Sequence, residues 1–182
     1  NGSTCSEVAL EFSAASDGSV DILYTSSGDI SGYQFDVSGL DGLTVSAGNF
    51  MASAANGTVI GFSLTGDTLP AGSGTLATLG YSAVTDQYSS LSLGNFGAIT
   101  DGNGNPYATV SFGDDEDHGP ADCAGTFGGS LVNDDCGVCD GGNADDLGCG
   151  CFEAGPSGCD EACGSTAEVD ECGVCGGDGS SC

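Results

Sequence analysis

The chain of 182 residues contains no lysine and no arginine, and its 27 aspartates and glutamates give a formal net charge of -27. No basic side chain is available to attract the phosphates of nucleic acid or the headgroups of anionic lipid, so nucleic acid is excluded as a partner. Apart from His118, no side chain can form a salt bridge, and the carboxylates must be solvated, hydrogen-bonded or bound to metal ions. Calcium is the expected extracellular counter-ion.

Long apolar runs and tryptophan are also missing. No run approaches the roughly 20 apolar residues that cross a bilayer, and no charged and then apolar leader opens the chain, so we expect a processed segment without membrane insertion. The lack of tryptophan weakens a sugar-binding interpretation, because sugars stack on aromatic faces. Tyr24, Tyr33 and Tyr81 are expected in the core, which leaves Tyr88 and Tyr107 as aromatic platforms.

Residues of the kind that carry catalysis are scarce. The single histidine, His118, lies in the acidic sequence EDHGP and is expected to be an exposed linker residue. No Gly-x-Ser-x-Gly motif is present to place a nucleophilic serine, although spacing alone does not exclude a pair of carboxylates acting on a glycosidic bond. We therefore expect that the protein is not an enzyme.

Residues 5–113 contain one cysteine and a succession of short apolar runs that alternate with polar residues. Val8, Leu10 and Phe12 alternate in this way, and TVIGFSL at 58–64 and ATVSF at 108–112 are two of the later runs. Gly, Asp, Asn or Ser bounds each run, and no helical period is sustained. The pattern predicts an all-β fold, an antiparallel β-sandwich of about nine strands.

Three segments of this region, ISGYQFDVSGLDGLTVSAG, LPAGSGTLATLGYSAV and AITDGNGNPYATVSFG, resemble stretches of cohesin-like domains. These are jelly-roll sandwiches of bacterial secreted and cell-surface proteins. The resemblance implies a nine-stranded sandwich used for binding or display. The usual partner of such domains, the dockerin with paired calcium loops of Asp-x-Asn-x-Asp-Gly type, has no counterpart in this chain.

Residues 114–182 contain the other ten cysteines, 17 of the 27 acids and only eight large apolar residues. So small an apolar set cannot offset the conformational entropy of glycine-rich backbone, at about 1–2 kcal/mol per residue. Disulfides or metals must hold this region. We expect a sandwich at 1–113, an acidic linker at 114–121 and a tandem cysteine-rich repeat at 122–182, divided into 122–157 and 158–182.

The repeat is visible in DDCGVCDGG at 134–142, which returns as DECGVCGGD at 170–178. An offset of 36 superimposes Cys123 on Cys159, Cys136 on Cys172 and Cys139 on Cys175. Two Cys-x-x-Cys pairs could bind zinc, act as a redox site or form disulfides; the long separation and the extra cysteines make zinc unlikely and favour disulfides. Cys149 and Cys182 are expected to close the two units, and Cys151 to pair with Cys163. The predicted disulfide cysteines are Cys123, Cys136, Cys139, Cys149, Cys151, Cys159, Cys163, Cys172, Cys175 and Cys182.

The pattern DCAGTFGG followed by DDCGVCDGGN resembles a cysteine-rich module repeated in large extracellular proteins of marine microbes. The ending DECGVCGGDGSSC also resembles a short segment of thrombospondin-motif metalloproteases, and this likeness implies no function. Cys5 is left over, and we expect an intermolecular disulfide, a distant intrachain partner or a free thiol. Asn1 and Asn56 fit the N-glycosylation pattern, and the sequence leaves open whether either asparagine is glycosylated.

Carboxylates cluster in several places that could bind calcium. The sequence AITDGNGNP has the alternating rhythm of a calcium loop, or that of a hairpin turn, which Asn-Gly favours. The acidic run at 114–117 is either a solvated linker or a calcium-stiffened hinge. The candidate calcium ligands are Asp101, Asn103, Asn105, Asp134, Asp135, Asp140, Asp170, Glu171 and Asp178.

Two functions follow as hypotheses. The first is an extracellular structural subunit that self-associates into a filament, sheath or surface layer, stiffened by disulfides and calcium. The second is a cohesin-like binding or adhesion module that recognises a protein, dockerin-like, or a glycan. A homopolymer subunit should assemble unaided, whereas a binding module should stay monomeric until it meets a second molecule.

Overall fold

The computed structural model describes residues 6–13, 16 and 18–182. The expectations for Asn1 and Cys5 lie outside these residues. The chain forms two compact units, Asn1–Ala121 and Asp122–Cys182. Residues 114–121, expected as a linker, belong to the first unit.

The described residues form strands and turns, and none of them forms a helix that is long and apolar enough to span a membrane. The first unit contains β1 (Glu7–Phe12), β2 (Ser19–Ser26), β3 (Ile30–Ser38), β4 (Leu40–Asp41), β5 (Thr44–Ser46), β6 (Met51–Ala55), β7 (Thr58–Phe62), β8 (Gly72–Gly80), β9 (Ala83–Val84), β10 (Tyr88–Ser92), β11 (Ala98–Asp101), β12 (Thr109–Phe112) and β13 (Glu116–Asp117). The second unit contains β14 (Pro156–Ser157) and β15 (Ala162–Cys163).

The first unit contains two large sheets and the two-stranded pair β4-β9, and the two large sheets confirm the predicted all-β sandwich. One sheet has the order β12-β1-β2-β8-β5, and the other has the order β13-β10-β3-β7-β6, with β11 also paired to β3. β1 and β12 are parallel, and the other pairs within the two sheets are antiparallel. The sheets contain eleven described strands, where about nine were expected. The excess arises because β13 extends one sheet, and because β10 and β11 share one side of β3 with an interruption between them.

The core lies between the sheets and follows the alternation read from the sequence. Leu10, Ile22, Phe35, Val59 and Leu79 have no exposed surface. Full burial of such a side chain stabilises the fold by about 1.5–3 kcal/mol relative to exposure. Alternate residues of each strand therefore hold the two sheets together.

The acidic run after β12 is not a solvated linker in the structure. Its residues Glu116 and Asp117 form β13, which pairs with β10 in the register Tyr88 with Asp117 and Ser89 with Glu116. The expectation of a free linker fails because these residues can complete the edge of a sheet with their backbone, whatever the charge of their side chains.

Five disulfides hold the second unit: Cys123–Cys139, Cys136–Cys151, Cys149–Cys163, Cys159–Cys175 and Cys172–Cys182. The first and fourth are equivalent under the offset of 36. The expected bond between Cys151 and Cys163 is wrong, because each of the two bonds a cysteine 14 or 15 residues earlier. Cys182 closes the second repeat as expected, but Cys149 does not close the first, because its partner Cys163 belongs to the second. Successive disulfide loops therefore overlap along the chain.

Candidate functional site

The sandwich has an apolar outer face on its six-stranded sheet. In β7, Val59 points into the core, so the alternate residues Ile60 and Phe62 point outward, and they are 38% and 43% exposed. Met51 of β6 stands directly opposite Phe62 and is 54% exposed. Leu64 follows β7 and is 73% exposed. These four side chains bring apolar surface to one end of β6 and β7.

A loop interrupts the strand on the other side of β3 and adds a further aromatic residue. β10 ends at Ser92 and β11 begins at Ala98, and between them Phe96 is 88% exposed. Gly97 N–H donates to the Leu93 carbonyl at 2.7 Å, which closes the loop. Gly94 has φ +58, and the Asp36 carboxylate lies where its Cβ would be. The loop thus packs against the outer face of β3 and presents Phe96 to solvent.

Polar groups lie between these apolar side chains and around them. The outward residues of β3 include Gln34 and Asp36, and Asp36 accepts a hydrogen bond from the Thr58 hydroxyl at 2.7 Å. At the β13 edge, Tyr88 is 49% exposed, and the Gln87 amide nitrogen donates to its hydroxyl oxygen and to Asp117. We define the apolar face as Met51, Ile60, Phe62, Leu64, Tyr88 and Phe96.

The two outer surfaces of the sandwich differ in character. Every large apolar side chain of the first unit that is clearly exposed in the described residues belongs to the apolar face. The outward positions of the five-stranded sheet instead carry mostly polar side chains, with the half-buried Leu23 among them: Glu7, Glu11, Asp21, Thr25 and Thr78. Met51, Ile60 and Phe62 lie on adjacent strands, whereas Tyr88 lies at the other end of β3. Exposed apolar side chains gathered on one sheet are typical of an interaction surface.

The sequence analysis did not predict the apolar face, although the sequence of β7 contains a signal for it. In TVIGFSL, Val59 and Ile60 are adjacent and apolar, so the strand has apolar side chains on both faces. An antiparallel strand with one solvated face normally alternates apolar and polar residues. Apolar residues at successive positions of this run were therefore the sequence signal that β7 has an apolar outer face.

The predicted calcium residues Asp101, Asn103 and Asn105 form a tight turn. Asp101 Oδ1 accepts the N–H groups of Asn103 and Asn105, both at 2.9 Å. The Asp101 carbonyl accepts the N–H of Gly104, which has φ +82. These hydrogen bonds lower the pKa of Asp101, the bond from Asn105 most. The carboxylate stabilises its own turn, which is the hairpin alternative.

The second unit contains three longer versions of this turn, here called the aspartate turns, at Asp122, Asp134 and Asp170. Asp146 forms the shorter version, in which its Oδ1 accepts the N–H groups of Gly148 and Gly150. Asp134 Oδ1 accepts the N–H groups of Cys136 and Val138 at 2.9 Å, and its Oδ2 accepts that of Asn143 at 2.9 Å. Asp122 and Asp170 make equivalent bonds to the residues two, four and nine positions later. Backbone hydrogen bonds lower the pKa of all three carboxyl groups.

Glycine is required at two positions of each aspartate turn. Three residues after Asp134, Gly137 has φ +78, a conformation that favours glycine. Seven residues after it, Gly141 lies against the Asp134 carboxylate, and an added Cβ would fall 2.4 Å from Oδ2. Gly129 and Gly177 lie in the same way against Asp122 and Asp170. In each D-x-x-G-x-x-x-G motif, the aspartate carboxylate accepts backbone N–H groups. These hydrogen bonds order a segment that has few apolar residues to form a core.

The remaining calcium candidates are scattered around these turns. Asp135 accepts the Asn143 side-chain amide at 2.9 Å, and Asp178 accepts the Ser180 N–H at 3.0 Å. Glu171 lies beside Gly179, and Asp140 has a positive φ of 54. Across the described ranges, no group of three or more His, Cys, Asp or Glu residues is arranged to hold a metal ion.

His118 is not the exposed linker residue that the sequence predicts. Its Nε2 lies 2.7 Å from Oγ of Ser89, a residue with no exposed surface, and its N–H donates to the Gln87 carbonyl at 2.9 Å. Glu116 lines the same small cavity. Because Ser89 is fully buried, its hydroxyl cannot reach a substrate, and the pair fastens the end of the first unit to β10.

The structure places two further residues named from the sequence, Tyr107 in the core and Asn56 in an exposed turn, where its glycosylation stays a prediction. Tyr107, expected as an aromatic platform, is only 6% exposed, and its hydroxyl donates to the Asp29 carbonyl at 3.1 Å. Asn56 is exposed in the β6–β7 turn with φ 52, followed by Gly57 with φ 82. That pair of left-handed residues is the two-residue turn that Asn-Gly favours.

Comparison with known proteins gives likenesses of fold only. No family model matches the chain. A search of curated proteins found no match. Among solved structures, the chain is similar to a non-cellulosomal cohesin from the hyperthermophilic archaeon Archaeoglobus fulgidus, with 14% identity and a TM-score of 0.42 over 58% of this chain and 86% of that one. It is also similar to a chain of the complex between a CaDoc0917 variant and CaCohA2, with 19% identity and a TM-score of 0.41 over 57% of this chain and 94% of that one.

Proposed function

We propose that the chain is an extracellular binding module whose sandwich recognises a partner protein through the apolar face. The observation that carries this proposal is the confinement of the exposed Met51, Phe62 and Phe96 to one outer surface of the sandwich. Aromatic and methionine side chains are enriched at protein interfaces, where a few of them supply most of the binding energy. The hydroxyl and carboxylate groups around them would form the polar rim.

Charge favours a different protein over a second copy as the partner. Two copies bring together two chains of charge -27, and neither has a lysine or arginine to place against the acids of the other. A partner with lysine or arginine at its rim would be attracted and steered toward the face. Self-assembly into a filament is therefore the weaker alternative, and it requires cations such as calcium to screen the repulsion.

The second unit fits this role as a disulfide-stabilised segment that follows the sandwich in the chain. Its five disulfides are typical of proteins that mature in an oxidising compartment, which supports an extracellular location. Calcium belongs to the proposal as a counter-ion for carboxylates that do not accept backbone hydrogen bonds.

Binding to a panel of purified dockerin domains, chosen because of the sequence resemblance to cohesin-like domains, tests the proposal. The matched variants are Met51→Ser and Phe96→Ser on the apolar face and Thr25→Ala on the five-stranded sheet. We expect one or more dockerins to bind, each face variant to weaken binding at least about tenfold, and Thr25→Ala to leave it unchanged.

Light scattering in calcium and after chelation distinguishes the alternative. A monomer in both conditions is expected. A large mass that falls on chelation would favour the polymer subunit, and dockerin binding that the face variants leave intact would contradict the assignment of the face.

A further inference from the structure

β8 is much longer than the strand that covers its outer edge. β8 runs over Gly72–Gly80, whereas β5 pairs with it only at residues 78–80. On the edge of β8 opposite β5, β2 pairs along the whole of β8. On the edge of β8 that faces β5, no strand in the described part of the chain pairs with residues 72–77. Such an edge presents unpaired N–H and C=O groups to any extended segment that reaches it.

A groove of about 430 Å³ runs beside this open edge. The turn at 47–50 and the segment at 67–69 form its walls, and its lining includes Phe50 and Leu76, which are 8% and 2% exposed. Its volume lies within the range of about 300–1,000 Å³ found for ligand sites. Six residues of β8 span about 20 Å, which is enough for a short added strand.

The charges around the groove indicate which kind of strand would enter. Asp67 lies exposed on the wall, and the whole chain has no lysine or arginine to neutralise it. A strand from a second copy would bring only acidic side chains and further repulsion. A strand of another protein with lysine or arginine on its outward positions would be attracted, while its alternate apolar side chains would face Phe50 and Leu76.

We propose that the open edge of β8 accepts an extended basic segment of a partner protein as an added strand. Main-chain hydrogen bonds to residues 72–77 would supply affinity, and the alternation of basic and apolar side chains would supply specificity. This site lies on the five-stranded sheet and is independent of the apolar face, so either site can fail without the other.

The test uses the whole disulfide-bonded chain, labelled with ¹⁵N, and the peptide acetyl-Lys-Val-Lys-Val-Thr-Val-amide at concentrations up to about 1 mM, the weak end of specific binding. We expect amide shifts at residues 72–77 and 47–50. Two further peptides have N-methyl groups on alternate residues, one on the odd and one on the even positions. Because an added strand directs alternate N–H groups toward its neighbour, one of them should lose binding and the other keep it.

Charge is tested in the same titration. Asp67→Asn should weaken binding about two- to five-fold, Asp115→Asn on another exposed loop should leave it unchanged, and the peptide acetyl-Glu-Val-Glu-Val-Thr-Val-amide should not bind. Absence of shifts at 72–77, or equal binding by both N-methylated peptides, would overturn strand addition. Equal binding by the acidic peptide would overturn the basic partner. Shifts at 72–77 that grow with protein concentration alone would assign the edge to a second copy.

Discussion

The ring of Tyr33 lies directly over the backbone of Gly61, its partner across the β3–β7 ladder. A Cβ built on Gly61 would fall 2.2 Å from Cζ of the tyrosine ring, and Tyr33 is 3% exposed. We expect Gly61→Ala to destabilise the sandwich by about 1–3 kcal/mol, since the ring would have to leave its place in a packed core. Chemical denaturation measures the change. Gly102→Ala is the control, because Gly102, like Gly61, has no positive φ and its added Cβ would meet its nearest neighbour, Asp29 Cβ, at an ordinary 3.5 Å.

Among the residues that the structure describes, the Tyr33 hydroxyl is buried without a hydrogen-bond partner, and burial raises its pKa to about 12. A buried donor that loses water without gaining a partner destabilises a fold by about 1–3 kcal/mol. Tyr33→Phe should therefore leave the free energy of unfolding unchanged or raise it. Tyr107→Phe, which removes a hydroxyl that donates to the Asp29 carbonyl, is the matched control and should lower it. Similar losses in both variants would show that Tyr33 has a partner in solution.

The aspartate turns predict a dependence on acid. The pKa of Asp134 is lowered in the folded protein, most by its hydrogen bond from Val138, so its ionised form is favoured by folding. The stabilisation is therefore fully present above the unfolded pKa of about 3.9 and is lost as pH falls through the lower folded value. Amide exchange at Cys136, Val138 and Asn143 should accelerate as the pH falls through that window, after correction for intrinsic exchange rates.

The same turn can be dissected by substitution. Asp134→Asn keeps Oδ1 and loses the oxygen that accepts the Asn143 N–H, so only exchange at Asn143 should accelerate. Asp134→Ala should expose all three amides. Asp140→Asn, at a position with positive φ that asparagine tolerates, is the control and should change none of them. Equal exchange in all variants would mean that the disulfides alone order this segment.

The disulfide pattern can be read directly by mass spectrometry. Digestion at acidic residues leaves Cys149 and Cys151 on one peptide, because only Gly150 separates them. Partial reduction followed by alkylation of the freed thiols separates the pairs, and it should identify them as Cys149–Cys163 and Cys136–Cys151. A peptide linked through Cys151 and Cys163 would contradict the structure. The double variant Cys159→Ser with Cys175→Ser should destabilise the second unit by about 2–5 kcal/mol.

The sandwich could be predicted because its evidence is local: the alternation of Val8 with Leu10 and of Tyr33 with Phe35 is visible in the sequence and matches their burial. The partner of His118 could not be predicted, because Ser89 is 29 residues away and only the pairing of β13 with β10 brings them together. Disulfide connectivity is equally non-local. The aspartate turn was visible as a spacing, but a carboxylate that accepts its own backbone N–H groups has the same rhythm as one that binds calcium.

The overlap of the disulfide loops determines what a protease can do to the second unit. Every peptide bond from Cys123 to Cys182 lies inside at least one loop, because each loop begins before the previous one closes. A single cut anywhere in this segment therefore leaves both fragments covalently joined, and trypsin, which needs lysine or arginine, has no site at all. A molecule cut once would hold both fragments together until a reductant broke the disulfides, so a single proteolytic cut releases no part of this segment.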